Sequence, residues 1–158
     1  MRILYFDLDG TLIHLNFGNV KNALARGAFE RAVRTAEFER LVCIGNAMGI
    51  ITLLEETGRE PDGHGMLMQL CGGAFVDERW LRSICGWVRD PKRRVRELAF
   101  DQDWWCMDDM ATRYFELDGR ADLLGAHRGG RILESDPVGE GHDILKWLEG
   151  IKREHGRV

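Results

Sequence analysis

No stretch of this sequence stays apolar for the roughly 18 residues that a bilayer-spanning helix needs, so no membrane partner is expected. Cysteine is sparse. Cys43, Cys71, Cys85 and Cys106 form no C-x-x-C pair, and each lies in or near an apolar run. That pattern argues against a zinc site and for reduced, mostly buried thiols in a cytoplasmic protein. An excess of basic charge is also missing: 22 Lys and Arg against 26 Asp and Glu give a net charge of −4, so charge indicates no nucleic acid. Repeats, low-complexity tracts and linkers are absent, and the N-terminus is expected to enter the first strand without a signal-peptide pattern. What remains is an ordinary globular composition, 44% apolar and 30% charged. It predicts one domain over residues 1–158 with a substantial core.

Apolar runs and helical periodicities alternate along the chain, which predicts an α/β sandwich with a mainly parallel sheet. A strand is expected over Arg2–Phe6. The spacing of Val20, Leu24, Ala28, Ala32 and Val33 predicts a helix over Val20–Thr35. Arg40–Ile44 reads as a buried strand ended by Gly45-Asn46, and Ala47–Glu56 as a helix stopped at Gly58. Residues 59–76 have no firm period; a third strand is expected near Met66–Cys71. Asp77 is an N-cap for a helix reaching Val88, with Trp80, Ile84 and Val88 on one stripe. Asp90-Pro91 opens a short helix. Trp104–Met107 is a strand closed by Asp108-Asp109, and a helix follows to about Leu117. Arg131–Glu134 is a last strand and Asp143–Lys152 a terminal amphipathic helix. The five tryptophans fall in amphipathic or strand contexts, which favours core packing over base stacking.

The most informative stretch is residues 3–13, Ile-Leu-Tyr-Phe-Asp-Leu-Asp-Gly-Thr-Leu-Ile. An apolar run ends in two carboxylates one residue apart, Asp7 and Asp9. Strand alternation puts positions 7 and 9 on one face. Anions so close repel unless a cation or proton lies between them. A hard divalent metal, Mg²⁺ first, takes oxygen ligands and often brings phosphate with it. Gly10 permits the turn that follows. The plain alternative is an Asp-Gly hairpin turn, but Leu12-Ile13-His14-Leu15 is not a clean alternating partner strand. Asp108-Asp109 repeats the pattern on a second strand. In a parallel sheet the strand C-termini share one edge, where ligands bind. Taken alone, such a pair is an N-cap with a favourable helix-dipole charge.

Asp7-Leu8-Asp9-Gly10-Thr11-Leu12, after a hydrophobic strand, resembles the first motif of the haloacid dehalogenase-like (HAD) superfamily, and Asp108-Asp109 resembles its fourth. The resemblance covers almost the whole chain in element order. It implies a three-layer Rossmann-like (HAD-like) fold and a Mg²⁺-dependent phosphatase working through an aspartyl-phosphate. In that case Asp7 is the nucleophile and Asp9 the proton donor and later the base. Asp7, Asp9, Asp108 and Asp109 form the metal site, with one of the doublet binding directly. Asp9 also argues for phosphoryl rather than carbon–halogen chemistry, since the dehalogenases proper lack it.

By the same resemblance Gly10, Thr11, Gly45 and Asn46 contact substrate. The third motif, a Lys or Arg that steadies phosphate, falls on Lys92, with Arg93 or Arg94 next. The bland alternative for this run is a solvated basic face. The second motif departs from the family: Gly45-Asn46 stands where a Thr or Ser is usual. A glycine amide and the Asn46 side chain remain as donors, but the hydroxyl is gone. One lost transition-state donor costs on the order of 2.7–4 kcal/mol. His14 and Asn16 follow the first motif and are turn formers or substrate contacts. His142-Asp143 reads as a loop and N-cap. The intervals after Thr11 and after Asn46 leave no room for a separate cap domain. The resulting open site suits a phosphorylated small molecule or macromolecular end, or shielding by a homo-oligomer. The rival reading is a catalytically weak or inactive HAD-like module that binds a phospho-ligand or protein partner.

Overall fold

The computed structural model describes residues 1–16, 19–46, 58, 62–127, 130–137 and 141–155. Its frame is a five-stranded, wholly parallel sheet in the order β5-β4-β1-β6-β7. These are β1 (Arg2–Phe6), β4 (Arg40–Cys43), β5 (Cys85–Trp87), β6 (Asp103–Met107) and β7 (Ile132–Leu133). β1 is central, and the chain builds outward from it first to one side and then to the other. The arrangement is an α/β sandwich compatible with a Rossmann-like fold.

Alternation along β1 divides the core. Leu4 and Phe6 face one layer, with Phe29, Val33, Leu148 and Ile151. Ile3 and Tyr5 face the other, with Val95, Phe115 and Leu124. β6 runs in register with β1, Ile3 opposite Trp104 and Phe6 opposite Met107, so its side chains sort between the same layers. The first layer holds α1 (Ala28–Thr35) and the C-terminal α6 (His142–His155), and the second α4 (Ala111–Leu117) and α5 (Asp122–His127). The sheet is therefore covered on both faces, as parallel strands require. All four cysteines are unpaired and buried. Burial pushes the Cys71 and Cys85 thiols up to about 12, which makes them packing residues rather than nucleophiles. No helix among the described residues is long and apolar enough to cross a membrane.

Several expectations are corrected. The helix expected over Val20–Thr35 covers only its second half. Asn19–Asn22 is instead strand β3, paired antiparallel with β2 (Ile13–Asn16). Asparagines at 16, 19 and 22 favour turn and extended backbone, and α1 starts only after Gly27, in the left-handed region at φ 72°. The third strand is not near Met66–Cys71, which belongs to α2 (Gly63–Leu70). That helix is capped by Asp62, whose carboxylate accepts from the Gly65 N–H. The strand lies at Cys85–Trp87, parallel to β4, inside what reads as the end of the helix after Asp77. That helix, α3 (Glu78–Ile84), is capped by Asp77 as expected and stops at Ile84. The helix expected over Ala47–Glu56 lies outside the described residues.

Asp90 and Pro91 do open a short helix, but it is a 3₁₀ helix over Pro91–Glu97 with a kink at Arg93 (φ −126°, ψ 42°). Across that kink Pro91 and Arg94 are both buried, and Lys92 is exposed to solvent.

Candidate metal and phosphate site

Asp7 and Asp108 each sit one residue beyond a strand, on neighbouring strands in register. The Asp7 N–H bonds the Met107 carbonyl at 3.0 Å, and the Asp108 N–H bonds the Leu133 carbonyl at 3.0 Å. Both therefore lie at the carboxyl edge between β1 and β6. There the strand order reverses, which is the crevice where such sheets bind ligands. Asp109 joins them, and one ligand oxygen from each of the three carboxylates lies within 4.8 Å of the others.

The turn after β1 shapes this corner. Gly10 has φ 80°, and a Cβ there would collide with the Asp109 carboxylate, so only glycine admits both. The Gly10 N–H closes the turn on the Ile13 carbonyl at 2.8 Å. Because the strand stops at Phe6, alternation does not carry Asp9 to the side of Asp7. Asp9 is exposed at the rim of the cavity, outside the three-carboxylate cluster. Thr11 is buried, and its hydroxyl lies 3.1 Å from that of Ser135, fastening the loop after β1 to the segment after β7.

Arg94 is the cation that meets the carboxylates. Its Nη1 donates to Asp7 Oδ1 at 3.0 Å and to Asp108 Oδ2 at 2.9 Å. Nε donates to the Pro91 carbonyl and Nη2 to Asn46 Oδ1. The guanidinium also lies over the Tyr114 ring, 3.8 Å from its centroid. Every face of the group is thus held. Lys92 does not line the cavity. Its backbone N–H bonds Asp90, while Arg93 turns away to the Leu117 carbonyl and the Asp118 carboxylate.

Burial, then the neighbouring Asp108 carboxylate, pushes Asp7 well above the usual carboxylate range in spite of Arg94. Burial likewise raises Asp108 to about 6, although Arg94 and the Met110 N–H oppose it. With all three carboxylates ionised, the one guanidinium leaves a formal charge of 1 − 3 = −2. An all-oxygen donor set with that excess charge is the kind that could hold a hard divalent cation.

Gly45 and Asn46 reach the same corner from the end of β4. A Cβ on Gly45 would lie 3.1 Å from Leu8 Cγ and 3.2 Å from the Leu8 backbone nitrogen, so the chain packs where a Thr or Ser side chain would project. Asn46 lines the cavity with its oxygen turned to Arg94. His14 lies in the β2–β3 hairpin opposite Lys21. Asn16 ends β2, paired with Asn19. Asp143 accepts from the Asp136 and Ile144 N–H groups, a capping role. Tyr114, Met110, Leu70 and Ser135 also belong to the site or its support, and sequence gave no signal for them beyond their place near helix ends and strand tips. The chain matches no family model, no curated protein and no solved structure.

Proposed function

We propose that the protein is a capless HAD-like phosphatase that uses Mg²⁺ to hydrolyse a phosphomonoester. The observation that carries this reading is the meeting of Asp7 with Asp108 and Asp109 around one point, with Arg94 bonded to two of them. Asp7, Asp108 and Asp109 would hold the metal. When bound, it neutralises charge that the carboxylates and the phosphoryl oxygens would otherwise set against each other. An Asp7 oxygen attacks phosphorus as the ester P–O bond breaks, and the leaving oxygen takes a proton from Asp9 at the rim. Asp9 then accepts a proton from water as that water attacks phosphorus. The bond to Asp7 breaks, and inorganic phosphate leaves.

Arg94 keeps Asp7 oriented and supplies positive charge beside the equatorial oxygens. The Asn46 side-chain NH₂, whose partner oxygen is occupied by Arg94, acts as the remaining phosphate donor, since the Gly45 N–H is directed to the buried Cys43 thiol. Four unpaired, buried thiols fit a reducing, cytoplasmic setting.

The second reading, a binding module with weak or no turnover, is favoured by the close packing of Gly45 on Leu8, where an added Cβ would crowd Leu8 at 3.1–3.2 Å. Hydrolysis of p-nitrophenyl phosphate separates the two. Turnover lost with EDTA, restored by Mg²⁺ and abolished by Asp7→Asn is the expected result. Mg²⁺ binding with no turnover across a broad phosphoester panel would select the module instead.

A further inference from the structure

The carboxylate site opens into a cavity of about 380 Å³ with a mixed polar and apolar lining. Asp7, Asp9, Asn46, Arg94 and Asp109 are its polar lining, and Leu70, Met110 and Tyr114 supply much of the apolar wall. Leu8 and Ile13 complete that wall, although both are almost wholly buried. Met110 is one of few large apolar side chains exposed among the described residues. Its backbone is fixed, because its N–H donates to Asp108 Oδ1. Tyr114 presents one ring to the cavity and holds the Arg94 guanidinium against it.

We infer that the leaving group of the substrate is a compact, uncharged, apolar group, best an aromatic ring, so that the substrate class is a small aryl or arylalkyl phosphomonoester. This inference rests on the phosphatase reading and narrows it. Three features of the cavity support the class. Its volume lies at the small end of ligand pockets, enough for a phosphoryl group and about one ring. Among the described residues, the charged side chains that line the cavity are Asp7, Asp9 and Asp109 with Arg94, whose guanidinium is already bonded to Asp7 and Asp108, so a second phosphate or a carboxylate on the leaving group is repelled. A sugar-like leaving group could bond Asp9, Asn46 or the Tyr114 hydroxyl, but each hydroxyl set against Leu70 or Met110 finds no hydrogen-bonding partner there, and unpaired hydroxyls are costly. A ring instead exchanges water for the Leu70, Met110 and Tyr114 surfaces.

Unreactive phosphonates test this without turnover. Isothermal titration of the Mg²⁺-loaded protein would compare benzylphosphonate with 2-hydroxyethylphosphonate, which has the same head group without the ring. Benzylphosphonate is expected to bind roughly tenfold or more tightly, as burial of one ring predicts. Leu70→Asn and Met110→Asn should each shrink that ratio, by weakening benzylphosphonate more than 2-hydroxyethylphosphonate. Phenyl phosphate should exceed glycerol phosphate in kcat/KM by a similar factor. Equal affinities, or a ratio unmoved by both variants, overturn the apolar class even where both esters are hydrolysed. If neither phosphonate binds and no ester is hydrolysed, the phosphatase reading itself falls, and this inference with it.

Discussion

Arg94 places Nη1 3.0 Å from Asp7 Oδ1 with both side chains almost wholly buried. The same nitrogen serves Asp108, so one guanidinium balances two carboxylates that strand geometry forces together. Removing one partner of a buried pair is far more costly than the net worth of the pair, because the other charge stays behind. Arg94→Ala is therefore expected to lose about 3–5 kcal/mol in metal-free urea unfolding at pH 7.5. Mg²⁺ should return part of that loss by supplying the missing positive charge. In turnover the same variant should fall about 10²–10³-fold in kcat, and Arg94→Lys should recover little, since one ammonium cannot reach Asp7, Asp108, Asn46 and the Pro91 carbonyl together. A stability change below about 1 kcal/mol would show that the trio is not a coupled unit.

The raised carboxylates fix a sign for the pH dependence. Asp7 lies well above its ordinary value and Asp108 at about 6, both chiefly through burial, while an unfolded Asp titrates near about 3.9. Between about pH 4 and pH 6 the folded state therefore binds more protons than the unfolded state, and the metal-free protein loses stability as pH rises through that window. Asp62, held low by its Arg82 bond, and Asp77, held low by the Trp80 N–H, act with the opposite sign and only at more acidic pH. Tm without metal should be lower at pH 7.5 than at pH 5, and Asp108→Asn should flatten the difference. Mg²⁺ should raise Tm at pH 7.5 and do much less at pH 5, where protons compete for the same oxygens. A metal-free Tm that climbs steadily from pH 4 to 7 would contradict this account.

Lys92 provides a control. It is exposed and does not line the cavity. Lys92→Ala should change unfolding free energy by no more than about 0.5 kcal/mol and leave kcat/KM for p-nitrophenyl phosphate nearly unchanged. A large kinetic loss would return the clamp to Lys92 and remove Arg94 from that role.

The contrast between Lys92 and Arg94 marks where the sequence stops being readable. Asp7 and Asp108 were legible because an abrupt end to an apolar run is a local signal, and parallel neighbours share one edge. Choosing among Lys92, Arg93 and Arg94 required the local backbone, since the kink at Arg93 re-aims the side chains that follow it. Strand β5 was hidden because Trp80, Ile84 and Val88 keep helical spacing across a boundary at Ile84 that tertiary pairing with β4 decides. The β2–β3 hairpin was hidden likewise, by the accidental spacing of Val20, Leu24 and Ala28. Gly63 and Gly65 lower the helix propensity of α2, so the cap at Asp62 went unread. Ser135 had no local signal, because its contact with Thr11 spans 124 residues.

Gly45 allows a direct test of why the usual hydroxyl is missing. The added Cβ of Gly45→Ser would meet Leu8 at 3.1–3.2 Å, including its backbone nitrogen, and Leu8 is fully packed beside Asp7. Overpacking of this kind costs about 1–3 kcal/mol. Because Leu8 adjoins Asp7, the proposed nucleophile, the strain should also displace that carboxylate and lower kcat, rather than raise it through the added donor. Leu8→Ala alone opens a cavity and costs about 2–5 kcal/mol. Combining the two should cost less than their sum by about 0.5 kcal/mol or more, since the serine then occupies space that the leucine vacates. Additive losses would mean that Leu8 is not what excludes the side chain. A Gly45→Ser protein with higher kcat and unchanged stability would mean that the hydroxyl is absent for reasons unrelated to packing.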